Sequence, residues 1–242
     1  MNEEFSRFYR SRIKQSIDDD RLQIAQAFHE LIKAKVRVDL RLVNYYKGLP
    51  INYPASLVEV SRGALEVDVH QQQAVALEHS GFTFIKCDRF DCAILAEVQN
   101  VNVRRMAASL RNFVFVDIMA ERRSALRLEL EPPMEAELLL STQSLPGRIL
   151  DVSVGGASIR IDEQEFQDGA ELKLRLVLPD LLQNSVCRVE VEGKHVATSK
   201  VDDATICRFI VSPNVQGESI ISRFMFQRQV ELIRELKEKS QL

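Results

Sequence analysis

Over residues 1 to about 35 the apolar positions Phe5, Phe8, Ile13, Ile17, Ile24, Phe28, Leu31 and Ile32 recur at roughly helical spacing, with no Gly or Pro between them. This pattern predicts an N-terminal helical segment over 1–35. Asp18, Asp19 and Asp20 are placed to break it into a pair of helices, an aspartate capping the second. From residue 36 the period changes. Short β-like runs follow at 36–42, 55–60, 64–69, 73–77, 83–86, 92–98 and 113–116, and 103–110 reads as a short helix. Turn residues fall between them at Lys47 and Gly48, Tyr53 and Pro54, Arg62 and Gly63, and Ser80 and Gly81. Many short strands at regular spacing predict a small barrel over 36–117. Strands resume at 126–130, 137–142, 148–152, 157–161, 171–178, 186–191, 195–201 and 204–211, with two-residue links expected at Glu192 and Gly193 and at Asp202 and Asp203. The tail from Glu218 carries Ile220, Ile221, Phe224, Met225, Val230, Ile233 and Leu236 on one helical face. The expected architecture is therefore mainly β: two small barrels, 36–117 and 118–242, with N-terminal helices and a C-terminal helix.

Two segments between these elements carry chemistry. The first, at the expected joint between barrels, places guanidiniums at Arg122, Arg123 and Arg127. Arginine's planar fork donates paired hydrogen bonds to phosphate oxygens or to the N7 and O6 acceptors of guanine. The second runs Asp151-Val152-Ser153-Val154-Gly155-Gly156. Asp151 can accept from the N1 and N2 donors of a guanine, Ser153 can donate or accept, and the glycines allow backbone to come close to a ligand. A ligand with both guanines and phosphates would satisfy the whole set. The same residues also read as surface ion pairs with Glu121, Glu129 or Glu131, and as a hairpin turn. Arg148 leads the strand into Asp151, and strict alternation puts it on the opposite face from Asp151 and Ser153.

Arg123-x-x-x-Arg127 followed by Asp151-x-Ser153-x-x-Gly156 resembles the signature of PilZ domains, bacterial receptors for cyclic di-GMP. The layout of two barrels is similar to two-domain PilZ proteins of the YcgR type, as is Phe224 to Gln229 in the C-terminal helix. The residues between the signature arginines, Ser124-Ala125-Leu126, are smaller than in many relatives, which bears on the packing of the linker. The resemblance implies a cytoplasmic, non-enzymatic effector that binds cyclic di-GMP through Arg122, Arg123, Arg127, Asp151, Ser153 and Gly156, with Arg148 and Gly155 as weaker candidates. The third arginine, Arg122, suits two mutually intercalated nucleotides per protomer. Binding would reset the angle between the domains. The output expected from the resemblance is a protein contact, with the flagellar motor or its stator, at the flagellar basal body, as the leading partner. Alternatives are an interaction protein acting on exopolysaccharide, biofilm or gene-regulatory partners, and one that binds no nucleotide.

Composition narrows the classes further. A formal net charge of −3 supplies no global basic field for a nucleic-acid backbone, so an anion site must be local and no nucleic acid is expected. No apolar run is long enough to span a bilayer, so the chain is expected not to insert in a membrane. Without a signal peptide its four cysteines read as thiols. Cys87, Cys92 and His79 lack a second ligand pair, and the four histidines are scattered; neither a metal site nor a catalytic centre is expected. Ser153 lacks the Gly-x-Ser-x-Gly elbow of a hydrolase nucleophile, because Asp151 stands where its first glycine belongs.

Overall fold

The computed structural model describes residues 8–36, 38–61, 63–162, 166–201 and 204–241. The chain forms two compact units. One comprises Met1–Tyr46, Pro50–Arg123 and Ile233–Leu242; the other comprises Lys47–Leu49 and Ser124–Leu232.

The first unit opens with strand β1 (Tyr9–Ser11) and helix α1 (Ile17–Lys33). One strand and one helix thus stand where a pair of helices was expected, residues 1–7 lying outside the described residues. The aspartates do not break α1. Ser16 is its N-cap and accepts from the Asp19 amide at 3.1 Å, so the three acids occupy the first turn, where they complement the helix dipole. The buried Asp20 carboxylate accepts the amides of Lys14 and Gln15, at 2.9 and 3.2 Å.

Strands β2 (Leu40–Tyr46), β3 (Leu49–Ser61), β4 (Ala64–Val69), β5 (Phe82–Cys87), β6 (Ala93–Asn102) and β7 (Ala107–Ile118) follow in the order β7-β4-β3-β2-β5-β6. Pairing of β6 with β7 closes the ring, and β1 adds to the outside of β7. Ile24 and Phe28 of α1 are buried in the cluster that contains Leu110, Phe113 and Phe115. The run 73–77 is not a strand but the centre of helix α2 (Gln71–Ser80), capped by Gly81 in the left-handed conformation. Ala74, Val75, Ala76 and Leu77 are all buried, and a run buried on every side has no period to distinguish helix from strand. The helix expected at 103–110 is a turn leading into β7.

The second unit is a closed six-stranded barrel in the order β10-β13-β12-β11-β8-β9. Its strands are β8 (Leu128–Leu139), β9 (Ser144–Ser153), β10 (Gly156–Ile161), β11 (Glu171–Asp180), β12 (Ser185–Val201) and β13 (Ala204–Ser212). Glu192 and Gly193 make no turn. β12 runs through them as one strand, pairing with β11 through Lys194 and with β13 from Glu192 onward. The other expected link, Asp202 and Asp203, lies outside the described residues. Helix α3 (Val215–Gln241) begins in this unit, where Ile221, Phe224, Met225 and Leu232 are buried. Asp180 anchors it: its carboxylate accepts from Gln227 Nε2 at 2.9 Å and faces Arg223 at 3.3 Å.

Candidate functional site

Strands β9 and β10 form a tight hairpin in which Ser153 pairs with Gly156 across a turn made of Val154 and Gly155. Ser153 is buried and its hydroxyl donates to the Gly156 carbonyl at 3.2 Å, closing the bend. Further down the hairpin Asp151 pairs with Ser158, but the next pair is Ile149 with Ile159, so Leu150 is an extra, bulged residue. The bulge corrects the expected alternation. Ile149 and Val152 both point into the core at 0% exposure, which leaves Arg148 and Asp151 on the same outer face.

Asp151 lies between Glu129 of β8 and Ser158 of β10. Its Oδ1 is shut off from solvent and accepts no hydrogen bond among the described residues. The nearest cation is Arg127, whose Nε lies 3.5 Å from Oδ1, close enough for charge attraction but too long for a good hydrogen bond. An acceptor left in this state costs free energy, which a ligand N–H would recover once the side chains covering it move aside. Arg127 also reaches the glycine bend. A Cβ added to Gly156 would lie 3.3 Å from the guanidinium and 3.2 Å from the Phe209 carbonyl oxygen, tight contacts that need these neighbours to give by a few tenths of an ångström. Gly155 is different: a Cβ there would meet open space.

The backbone of Arg127 is held from a direction the motif does not reveal. Gly48, at φ +83°, packs its Cα against the Arg127 carbonyl so closely that a Cβ could not be inserted, and the Glu129 amide donates to the Lys47 carbonyl at 3.0 Å. Lys47 Nζ also faces Glu131 at 3.5 Å. The sequence signal was the Lys47-Gly48 turn, but nothing in it pointed to Arg127.

Arg127, Asp151, Ser153 and Gly156 thus form one cluster in the second unit. Arg122 and Arg123 group with the first unit. Met119–Arg122 is a 3-10 turn after β7, and Arg123 caps it, its amide donating to Ala120 at 3.4 Å. Arg122 is exposed and faces Asp117 at 3.7 Å; its neighbour Glu121 is bound to Lys86 at 2.7 Å. Burial pushes the Tyr45 phenol up to about 12, with Glu121 adding to the rise and Arg123 opposing it. Arg148 is engaged with Glu135 at 3.7 Å.

The cluster offers a fork-shaped cation, an unsatisfied carboxylate acceptor and a glycine bend. That is equipment for gripping a ligand with both donor and acceptor edges. Among the described residues no three His, Cys, Asp or Glu side chains are placed to hold a metal ion, and no helix is long and apolar enough to cross a membrane.

Residues 121–227 match the family model of the PilZ domain. No curated protein matches the chain. Among solved structures, the chain is similar to YcgR from Escherichia coli in complex with c-di-GMP, at 17% identity and TM-score 0.42, covering 90% of this chain and 93% of that one. It is also similar to the Bacillus subtilis inhibitor of motility MotI/DgrA, at 11% identity and TM-score 0.42, covering 80% and 97%. A third is the K. pneumonia MrkH–c-di-GMP complex, at 14% identity and TM-score 0.42, covering 89% and 96%. The match over residues 121–227 to the PilZ domain contains every signature residue described above, and a second β-barrel stands ahead of those residues in the chain.

Proposed function

We propose that this protein is a cyclic di-GMP receptor that performs no catalysis and signals through a protein contact. The observation that carries this reading is the convergence of Arg127, the unsatisfied Asp151 carboxylate, Ser153 and Gly156 on one side of the PilZ-domain hairpin. Asp151 takes the donor edge of a guanine. Arg127 and Arg123 take acceptors on the base or the phosphates. Charge-assisted hydrogen bonds contribute roughly 1.5–3 kcal/mol each, so three or four of them suffice for a micromolar-to-nanomolar ligand, before the cost of ordering the linker.

Arg122, adjacent to Arg123 and exposed, supports a stoichiometry of two intercalated nucleotides per protomer. A ligand held by Arg122 and Arg123 as well as by Asp151 fixes the linker that joins the two units, and so provides a mechanical output. In this proposal the protein works in the cytoplasm and its partner belongs to the machinery of motility.

Calorimetric titration of cyclic di-GMP tests the reading. Wild-type protein binds with a stoichiometry approaching two, and Arg123→Ala or Arg127→Ala abolishes binding while circular dichroism shows an intact fold. Wild-type affinity in both variants contradicts it.

A further inference from the structure

From the outer face of the second barrel we infer that Arg208 and Ile210, on β13, form a platform for the second base of the ligand, with Arg208 selecting guanine over adenine. This rests on the proposed function and extends it to residues outside the signature.

Strand register supplies the placement. Ser158 of β10 pairs with Asp151 on one side and with Arg208 on the other, and Gly156 pairs with Ser153 and with Ile210. Asp151, Ser158 and Arg208 therefore form one row across three strands, and Ser153, Gly156 and Ile210 the row beside it. Two strand spacings separate Asp151 from Arg208, roughly 10 Å, a span that a two-base ring can bridge. Burial fixes the face. Cys207, Phe209 and Val211 point inward and are buried, so Arg208 and Ile210 point outward together.

Ile210 is a large apolar side chain that is 51% exposed on a strand whose inward positions are filled. It lies directly across from a glycine, so nothing on that neighbour shields its face. Arg208 is exposed, and none of the described residues pairs with its guanidinium. Arg148 is engaged with Glu135 and Arg175 with both Glu137 and Glu190, whereas Arg160 and Arg188 are as uncommitted as Arg208 but lie outside the Asp151 row. An apolar floor beside an uncommitted guanidinium suits a flat base better than a phosphate. The base lies against Ile210, and Arg208 meets its edge in plane. Guanine presents two acceptors there, O6 and N7, which match the fork; adenine presents N7 and an N6 donor, which does not.

The test is calorimetric titration of cyclic di-GMP and cyclic di-AMP, which carry the same charge, into wild type, Arg208→Ala, Arg208→Lys and Arg160→Ala. Arg160 is the control: exposed on the same face, it pairs in register with Arg148 and Ile206, away from the Asp151 row. Arg208→Ala is expected to weaken cyclic di-GMP roughly tenfold, the equivalent of about 1.4 kcal/mol, while its affinity for cyclic di-AMP stays at the wild-type value. Arg208→Lys keeps the charge but loses the fork, so it shows the same loss of preference. Arg160→Ala behaves as wild type. The inference is overturned if both Arg208 variants retain wild-type affinity and preference, or if they weaken both nucleotides equally, which is the mark of charge alone. Failure of the wild-type protein to bind cyclic di-GMP is a separate result; it removes the proposed function and this inference with it.

Discussion

Gly48→Ala is expected to damage the proposed nucleotide site through the backbone of Arg127, against which Gly48 packs. The residue sits at φ +83°, where an L-residue with a Cβ costs about 1 kcal/mol more than glycine. The added carbon would also press on backbone rather than on a flexible side chain. It would fall inside van der Waals contact with the Arg127 carbonyl oxygen, 3.0 Å from Leu128 Cα and 3.1 Å from the Glu129 nitrogen. Overpacking of this kind costs about 1–3 kcal/mol, so the sum is roughly 2–4 kcal/mol. At about 2–4 °C per kcal/mol, the affected melting transition drops by roughly 5–15 °C. Relief of the clash moves the backbone that carries Arg127. Losing one charge-assisted hydrogen bond from its guanidinium, about 1.5–3 kcal/mol, weakens cyclic di-GMP by roughly ten- to a hundredfold. Scanning calorimetry and nucleotide titration read the two effects. Gly81→Ala is the matched control, because Gly81 has φ +70° but open space around a new Cβ. It should lose about 1 kcal/mol and bind as wild type. If Gly48→Ala melts like Gly81→Ala and binds with wild-type affinity, the turn does not position Arg127.

Gly156→Ala should weaken cyclic di-GMP several-fold by pushing on Arg127 and the Phe209 carbonyl, whereas Gly155→Ala, with open space, should titrate as wild type in the same calorimeter. The folded-state Tyr45 phenol, pushed up to about 12 chiefly by burial, holds its proton more tightly than in the unfolded chain. Its contribution is fully present below about pH 10 and is lost as pH rises towards 12, so denaturant midpoints of wild type should fall over that window by more than those of Tyr45→Phe. The Asp180 carboxyl is held below the usual range, first by the hydrogen bond from Gln227 and then by the amides of Gln183 and Leu182 and the charge of Arg223. Asp180→Asn should therefore lose stability relative to wild type above about pH 4, and the gap should close as acid protonates the wild-type group.

Both barrels and the residues of the signature were legible in the sequence because each depends on local pattern. Alternation along 157–161 and the glycines after Ser153 specify the β9–β10 hairpin without help from distant residues. What was not legible depends on tertiary context. The run 73–77 is buried on every side, so its pattern has no period, and its helix is fixed by contacts such as Gln73 with the buried Asn44, at 2.7 Å. The bulge at Leu150 turns Arg148 and Asp151 to one face, and a bulge is set by the register of two strands rather than by the composition of one. Gly48 announced a turn but not its neighbour, since its contact with Arg127 spans the length of the first barrel in sequence. Arg208 and Ile210 belong to no signature. Only the pairing of β10 with β13 brings them onto the same outer face as Asp151, across β10 from it.

Amide-resolved NMR of the wild-type protein, with and without saturating cyclic di-GMP, tests the central claim most directly. The nucleotide should move the amides of Arg127, Asp151 and the hairpin turn through Gly156 most, and leave those of α2 at their free positions. If those hairpin amides stay still at saturating nucleotide, or if the largest shifts fall in α2, the bend and the arginine ahead of it do not hold the ligand.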